Sequence, residues 1–379
     1  MSKRLSCVLF ALVLAFSTST YAQMPAPAPP IIGAKSYLVI DATTGHEIAA
    51  MDPDMPLAPA SLTKIMTTYV VFKALQQGHL TLEEMVTISE KAWRTPGSRM
   101  FVEVNKQVSV EELLLGLIVQ SGNDAGVALA EHIAGTEDVF AQMMTQHAQQ
   151  LGMHATSFMN ATGLPAEGHE TTARDLAILA RAMIAEFPEY YAWHAVKEFT
   201  FNDIRQTNRN KLLWRDPSVD GIKTGHTDDA GYCLVASAER NGMRIISVVL
   251  GTSSEKARAD GSQALLNYGF RFFESRLLFK AGEDGTTARV WKSLHETSRL
   301  GVLEDLYITV RRGAYDKLES SVDIPAIVEA PVAAGQPLAE LSISLDGSEV
   351  LRTPLRALDD NPTGSLWQRT RDNISLMFE

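Results

Sequence analysis

Five short β-rich runs, two near the start and three after residue 220, enclose a long helical stretch. That arrangement narrows the possible fold more than any other feature of the chain. "SYLVIDATTGHEIAAM" (36–51) reads as two strands joined by a Gly-containing turn. "GIKTGHT" (221–227), "GYCLVASAE" (231–239) and "MRIISVVLG" (243–251) are three more strands, and Arg240-Asn241-Gly242 between the last two is a hairpin signal. One sheet assembled from both ends of a domain, with the intervening helices packed on it, is the expected fold class: an α/β domain with an antiparallel sheet. Within the helical stretch the punctuation is clear. "TLEE" (81–84) and "SVEE" (109–112) match the capping box, so each predicts a helix or helical turn. "VEELLLGLIVQ" (110–120) is an apolar helix that stops at "SGND", and "TTARDLAILARAMIAEF" (171–187) is an amphipathic helix that ends before Pro188. "ALLNYGFRFFE" (264–274) closes the domain, placed at 31–278.

From 285 to 358 the texture changes. "DLYITVRRG" and "ELSISLDGSEV" alternate apolar and polar residues, with a turn at Asp346-Gly347, and predict a separate, small all-β domain. The last segment, 361–379, predicts an amphipathic helix. Leu366, Met377, Thr370, Ile374, Trp367 and Phe378 fall in one arc of about 120° on a helical wheel, opposite Arg369, Asp372, Gln368 and Glu379. Two fates suit such a helix: lying in a membrane interface as an anchor, the favoured reading, or docking on its own β domain. The linker "NPTG" is expected to detach it.

At the other end, Lys3 and Arg4 precede the apolar run "LSCVLFALVLAF" and then "STSTYAQ", with small residues Thr20 and Ala22. This predicts a secretory signal peptide at 1–22, cut after Ala22; an uncleaved membrane anchor is the alternative. A Pro-rich spacer, 23–30, follows. Cys7 leaves with the signal, so the mature chain keeps only Cys233 and is held together without an internal disulfide. The formal charge of −11 becomes −13 once Lys3 and Arg4 are removed. An acidic chain without a basic run argues against nucleic acid as a partner.

The chemistry lies in three short motifs. In "ASLTKIMTTYVVFKAL" (60–75), Ser61 opens an apolar helix and Lys64 follows three residues later, on the same face. A helix N-terminus there supplies positive potential and free N–H groups, which lower a lysine pKa and can bind an oxyanion. Ser121-Gly122-Asn123 forms a tight polar loop after an apolar helix; by itself a helix cap is the favoured reading. Lys223-Thr224-Gly225 lies on a strand, where a glycine marks close approach of another backbone or a ligand. A lysine and a hydroxyl beside it suit a substrate carboxylate, although an edge-strand lysine that blocks aggregation has the same look. Each motif is weak alone. Their order, S-x-x-K, then S-x-N about 60 residues on, then K-T-G about 100 further, is the motif set of penicillin-recognising serine enzymes. A second S-x-x-K, Ser253 to Lys256, follows K-T-G and is expected to be a solvated loop.

With "ASLTKIMTTYV", "QSGNDAGVALAEHIAG", "TTARDLA", "EFTFNDIRQTNRNKLLW" and "VDGIKTGHTDDAGYCLVAS", the chain resembles the low-molecular-mass penicillin-binding proteins that are serine-type D-alanyl-D-alanine carboxypeptidases, over essentially its whole length. The loop around "RTPGSRMFVEV" is shorter than is typical of that group. The resemblance implies a penicillin-binding-protein/β-lactamase-like catalytic domain, a β-rich second domain and a C-terminal anchor on the periplasmic side of the bacterial inner membrane. It implies removal of the terminal D-alanine from peptidoglycan pentapeptide stems, which limits cross-linking and helps maintain cell shape, with β-lactams as covalent inhibitors. Ser61 would be the nucleophile and Lys64 its base, with Lys223 helping to lower the Lys64 pKa. Ser121 would relay a proton, and Asn123 would orient the substrate amide and Lys64. Lys223 and Thr224 would bind the terminal carboxylate. Backbone N–H groups of Ser61 and His226, just past Gly225, would form the oxyanion hole. Arg209 either adds to the carboxylate field or makes a structural ion pair. No cofactor is expected, and the nine histidines show no metal-ligand spacing. A class A β-lactamase shares the three motifs but needs a glutamate in E-x-x-L-N before K-T-G, and Glu170 in "ETTARDL" lacks the Leu-Asn. A DD-endopeptidase and a non-catalytic sensor are the remaining alternatives.

Overall fold

A computed structural model describes residues 27–378; the signal-peptide expectation for 1–22 therefore lies outside the described residues. The central sheet has five antiparallel strands in the order Glu47–Met51, Ser36–Asp41, Met243–Thr252, Gly231–Arg240, Val219–Thr227. Its first two strands come from one end of the domain and its last three from the other, joined where Leu38 pairs with Val248. Alternation along the strands divides two cores. Leu38, Ile40, Val235, Ile246 and Val248 face the buried helix Thr63–Gln76 and its neighbours. Tyr37, Val39, Leu234, Ala236 and Ile245 face the closing helix Glu255–Phe272. Strands covered on both faces read as continuous apolar runs, which is how "MRIISVVLG" looks. The hairpin at 240–242 forms as expected, with Asn241 and Gly242 at φ +52° and +78°.

Several local expectations change. "TLEE" begins no helix; it is a turn leading into the short strand Met85–Thr87, because its next residues pair with Gln107–Ser109. "SVEE" does start one, Val110–Leu115, with the reciprocal Ser109–Glu112 capping box formed. The Ser253–Lys256 stretch is the start of a helix rather than a loop: Ser254 caps Glu255–Phe272, and exposed Lys256 pairs with Asp260 one turn on.

The second unit has a five-stranded sheet of its own, ordered Thr286–Arg289, Thr297–Gly301, Ser348–Ala357, Pro337–Leu345, Leu318–Asp323. A ribbon of Phe273–Phe279 with Leu306–Arg311 stands beside it, so the change of sheet comes directly after the closing helix. Ala288, Leu300, Ile308, Leu341 and Leu355 form its separate core. The Thr309 hydroxyl donates to Asp41 Oδ2 at 2.8 Å and ties the two units together.

The C-terminal helix spans Leu366–Ser375 and lies against its own β unit. The linker does not detach it, because the side chain of buried Asn361 bonds the backbone of His295, and Val332 bridges Asn361. The helix then docks by its polar side: Asp372 Oδ2 accepts from Lys292 N at 2.7 Å, and Gln368 Nε2 donates to Leu294 O. Its apolar side faces outward, with Trp367 79% and Phe378 85% exposed. No helix among the described residues is long and apolar enough to cross a membrane.

Candidate active site

The first motif is built differently from a capped amphipathic helix. Ser61 sits in a 3-10 turn, Ala60–Leu62, and the α-helix begins at Thr63 without a side-chain cap. That helix is buried nearly all round, from Thr63 through Phe72, so its first turn is immobilised in the core. Ala60 is held at φ +46°, a sparsely populated region for a residue with a Cβ. Two glycines make room for the turn. A Cβ at Gly163 would run into the Ala60 carbonyl, and one at Gly225 would lie 3.2 Å from Pro59 O. The close approach expected of the K-T-G glycine is thus to the nucleophile turn itself.

Lys64 is 1% exposed and its Nζ has three oxygen partners: Ser61 Oγ at 3.0 Å, Asn123 Oδ1 at 2.7 Å and the Thr162 carbonyl at 2.6 Å. Burial, and after it the positive Arg209, bring the amine down to about 7, with Asp124 opposing. Arg209 therefore joins Lys223 as a positive group near Lys64: Lys64 and Lys223 also repel each other. A neutral amine has only two N–H donors. The Asn123 amide oxygen and the Thr162 carbonyl can only accept. They take both N–H groups and leave the lone pair for the Ser61 hydroxyl.

Asn123 opens the helix Asn123–Ala134, and its other end donates to Pro96 O at 2.6 Å. Ser121 sits between a π-turn and that helix at φ +66°; its buried Oγ has no hydrogen-bond partner among the described residues. Its backbone N–H closes the preceding turn onto Gly116 O, but its side chain caps no helix. Such an orphaned hydroxyl costs about 1–3 kcal/mol, a penalty that a ligand would remove. Asp124, the residue after Asn123, escaped sequence reasoning. Its carboxylate accepts from the backbone N–H groups of Met100, Phe101 and Val102, and so straps the 94–104 loop to the S-G-N turn.

Lys223 and Thr224 lie on the edge strand Val219–Thr227, both buried. Lys223 Nζ donates to the Thr224 carbonyl at 3.2 Å, and burial first, then Lys64, Arg209 and Arg258, hold its pKa well below the usual lysine range. A buried lysine does not serve as a solvated edge guard. His226 is exposed and stacks on Tyr232 with ring centroids 3.9 Å apart. Arg209 is exposed and has no carboxylate partner among the described residues, which removes the ion-pair alternative there. Arg258 was also missed: it is 4% exposed, donates to Gly225 O at 3.0 Å and lies over the Tyr232 ring. It follows the discounted "SSEK" by two residues, and nothing in the local pattern marks it. Positive charge thus accumulates around Lys223, and the described residues hold no cluster that could bind a metal ion.

A family model described as D-alanyl-D-alanine carboxypeptidase matches residues 23–254, and one described as the C-terminal domain of penicillin-binding protein 5 matches residues 273–363. The D-alanyl-D-alanine carboxypeptidase DacA of Escherichia coli is 41% identical over 360 residues, 93% of this chain and 89% of that one. DacA of Haemophilus influenzae is 40% identical over 368 residues, 94% of each. Penicillin-binding protein 5 from Haemophilus influenzae superposes with a TM-score of 0.86 at 41% identity, over 89% of this chain and 99% of that one. The ampicillin-bound form of penicillin-binding protein D2 from Listeria monocytogenes gives 0.58 at 30% identity, over 63% and 98%. With the first two motifs meeting at Lys64, the third packed against the Ser61 turn, and relatives matching nearly end to end, the chain belongs to the D-alanyl-D-alanine carboxypeptidase family of serine enzymes and carries the C-terminal domain of penicillin-binding protein 5.

Proposed function

We propose that the protein removes the terminal D-alanine from peptidoglycan pentapeptide stems through a Ser61 acyl-enzyme. The observation that carries this is the Lys64 amine, buried, bonded to Ser61 Oγ at 3.0 Å and brought to about 7. Neutral Lys64 takes the Ser61 proton as Oγ attacks the carbonyl between the two D-alanines. The N–H groups of Ser61 and His226 receive the developing oxyanion. Lys223, Thr224 and Arg209 hold the terminal carboxylate, in a region where Lys64, Arg209 and Arg258 surround Lys223. The unpartnered Ser121 hydroxyl passes a proton to the departing D-alanine, and Asn123 orients Lys64 and the substrate amide. Water then releases the acyl group. Incubation with a pentapeptide and, separately, with a cross-linked dimer tests the reading. Free D-alanine from the pentapeptide is the expected result; cleavage of the dimer alone would make the protein a DD-endopeptidase.

β-Lactams are expected to acylate Ser61 and to leave slowly. The glutamate with the nearest motif, Glu170, has an exposed side chain, and its backbone is paired with Ser157. That supports a drug target over a class A β-lactamase.

The same reading places the protein on the periplasmic side of the inner membrane, held peripherally by the C-terminal helix. Leu366, Trp367, Ile374, Met377 and Phe378 are all more than half exposed on a helix whose polar side is already docked. Such a face gains by entering the lipid interface. Deleting residues 362–379 should move the protein from the membrane pellet to the soluble fraction, with D-alanine release unchanged. Persistent pelleting of the truncated protein would end the anchor reading.

A further inference from the structure

The Thr162 carbonyl that completes the Lys64 environment belongs to no helix or strand, so something must hold it in place. The turn 160–163 is fastened almost wholly by side chains. Asn160 Oδ1 accepts from Thr162 N at 3.1 Å, Thr162 Oγ1 at 3.0 Å and Gly163 N at 2.7 Å. Its Nδ2 donates to Leu164 O at 2.9 Å and lies 3.3 Å from His169 Nδ1. The other nitrogen of His169 reaches Thr63 Oγ1 at 2.9 Å, on the residue just before Lys64 in sequence. Ala161 is fixed separately, its N–H by Glu137 Oε1 at 3.1 Å and its carbonyl by Thr67 Oγ1 at 2.7 Å. Gly163 then lets the turn sit directly behind the strained Ala60.

From this arrangement we infer that Asn160 is a positioning residue for the acylation step: it aims the Thr162 carbonyl at Lys64 and thereby turns the amine lone pair onto Ser61. The inference rests on Lys64 being the base. Two acceptors are needed to occupy both N–H groups of the neutral amine. Asn123 supplies one from the S-G-N turn and Asn160 controls the other. With only one acceptor in place, the amine can rotate and present an N–H to Ser61 Oγ, an orientation that cannot accept the serine proton. The charged and titratable groups around the pair are Arg209, Lys223 and Asp124 on the motif side. On the turn side they are Glu137 with its partner Lys91, and His169, which burial keeps neutral down to about 4. His169 therefore stays in one charge state across the range where Lys64 titrates.

The test is the pH dependence of kcat/KM for pentapeptide and of the acylation rate by a fluorescent penicillin, in Asn160→Ala and Asn160→Asp. Asn160→Ala should lower the plateau about tenfold or more through kcat, with KM within about twofold, because the carboxylate grip is untouched. Asn160→Asp keeps the triple acceptor, so it should recover most of that plateau. Its added negative charge favours the ammonium and should move the acidic limb of the profile upward. Plateau loss in Ala with recovery and an upward limb in Asp supports the assignment. An Ala plateau within twofold of the wild type, or an Asp variant no faster than Ala with an unmoved limb, overturns it. Should Ala fail to fold, as judged by its melting curve, the Asp profile decides alone. If the wild-type profile itself lacks an acidic limb near 7, it is the role of Lys64 that fails, and the two failures are separately visible.

Discussion

Ser61→Ala is expected to lower D-alanine release by at least about four orders of magnitude, since removing the nucleophile of a serine enzyme with an intact oxyanion site leaves only residual catalysis. Labelling by a fluorescent penicillin should vanish with it, because no other serine among the described residues is bonded to a buried lysine amine. The second S-x-x-K cannot substitute: its lysine is exposed and paired with Asp260, without the burial that makes Lys64 a base. Fold stability should hardly change. Ser61 is only partly buried, and its hydroxyl is bonded to a lysine that keeps two other acceptors. A melting temperature close to wild type, together with lost labelling, is the combined outcome to look for. D-alanine release that survives the substitution would refute the assignment outright.

The second large effect is on pH. As the proposed base Lys64 would act only as the free amine, and burial brings its pKa down to about 7. The sign follows directly: raising the pH through 7 removes the proton and creates the base, while lowering it restores the inactive ammonium. Well below the midpoint kcat/KM for the free enzyme should fall about tenfold per pH unit, so that at pH 5 it stands about a hundredfold below its plateau and about fiftyfold below its value at pH 7. Lys64→Arg should abolish this limb together with the activity, because a guanidinium does not give up its proton in this range. Measured profiles of kcat/KM between pH 5 and 9 check both statements. A wild-type profile flat across pH 5–7 would mean that some other group accepts the Ser61 proton.

The sheet built from both ends of its domain was legible because its strands are short apolar, β-rich runs with an Asn-Gly hairpin turn between two of them. The β-rich second unit was legible from its period-two alternation of apolar and polar residues. The capping boxes show the limit of such local signals. Ser109–Glu112 formed its helix, whereas the 81–84 match became a turn because the next residues had a strand partner waiting. A motif of four residues does not know its neighbours. The tail illustrates a different limit: its apolar face was readable from spacing, but the polar docking through Asp372 depends on the backbone of Lys292, far away in the chain.

The sequence by itself determined the three motifs, their order, and the residue types that can act as nucleophile, base and carboxylate holder. Those are properties of side chains and spacing. Only the tertiary structure decided how they work together. It placed Ser61 in a strained turn ahead of the helix and left Ser121 without a partner. It buried Lys64 and set Arg209 near it, and brought in Asp124, Arg258 and the Thr162 carbonyl. The physical reason is that a lysine becomes a base through desolvation and through acceptors contributed by distant segments. Both are set by packing, and neither is written in the residues on either side of it.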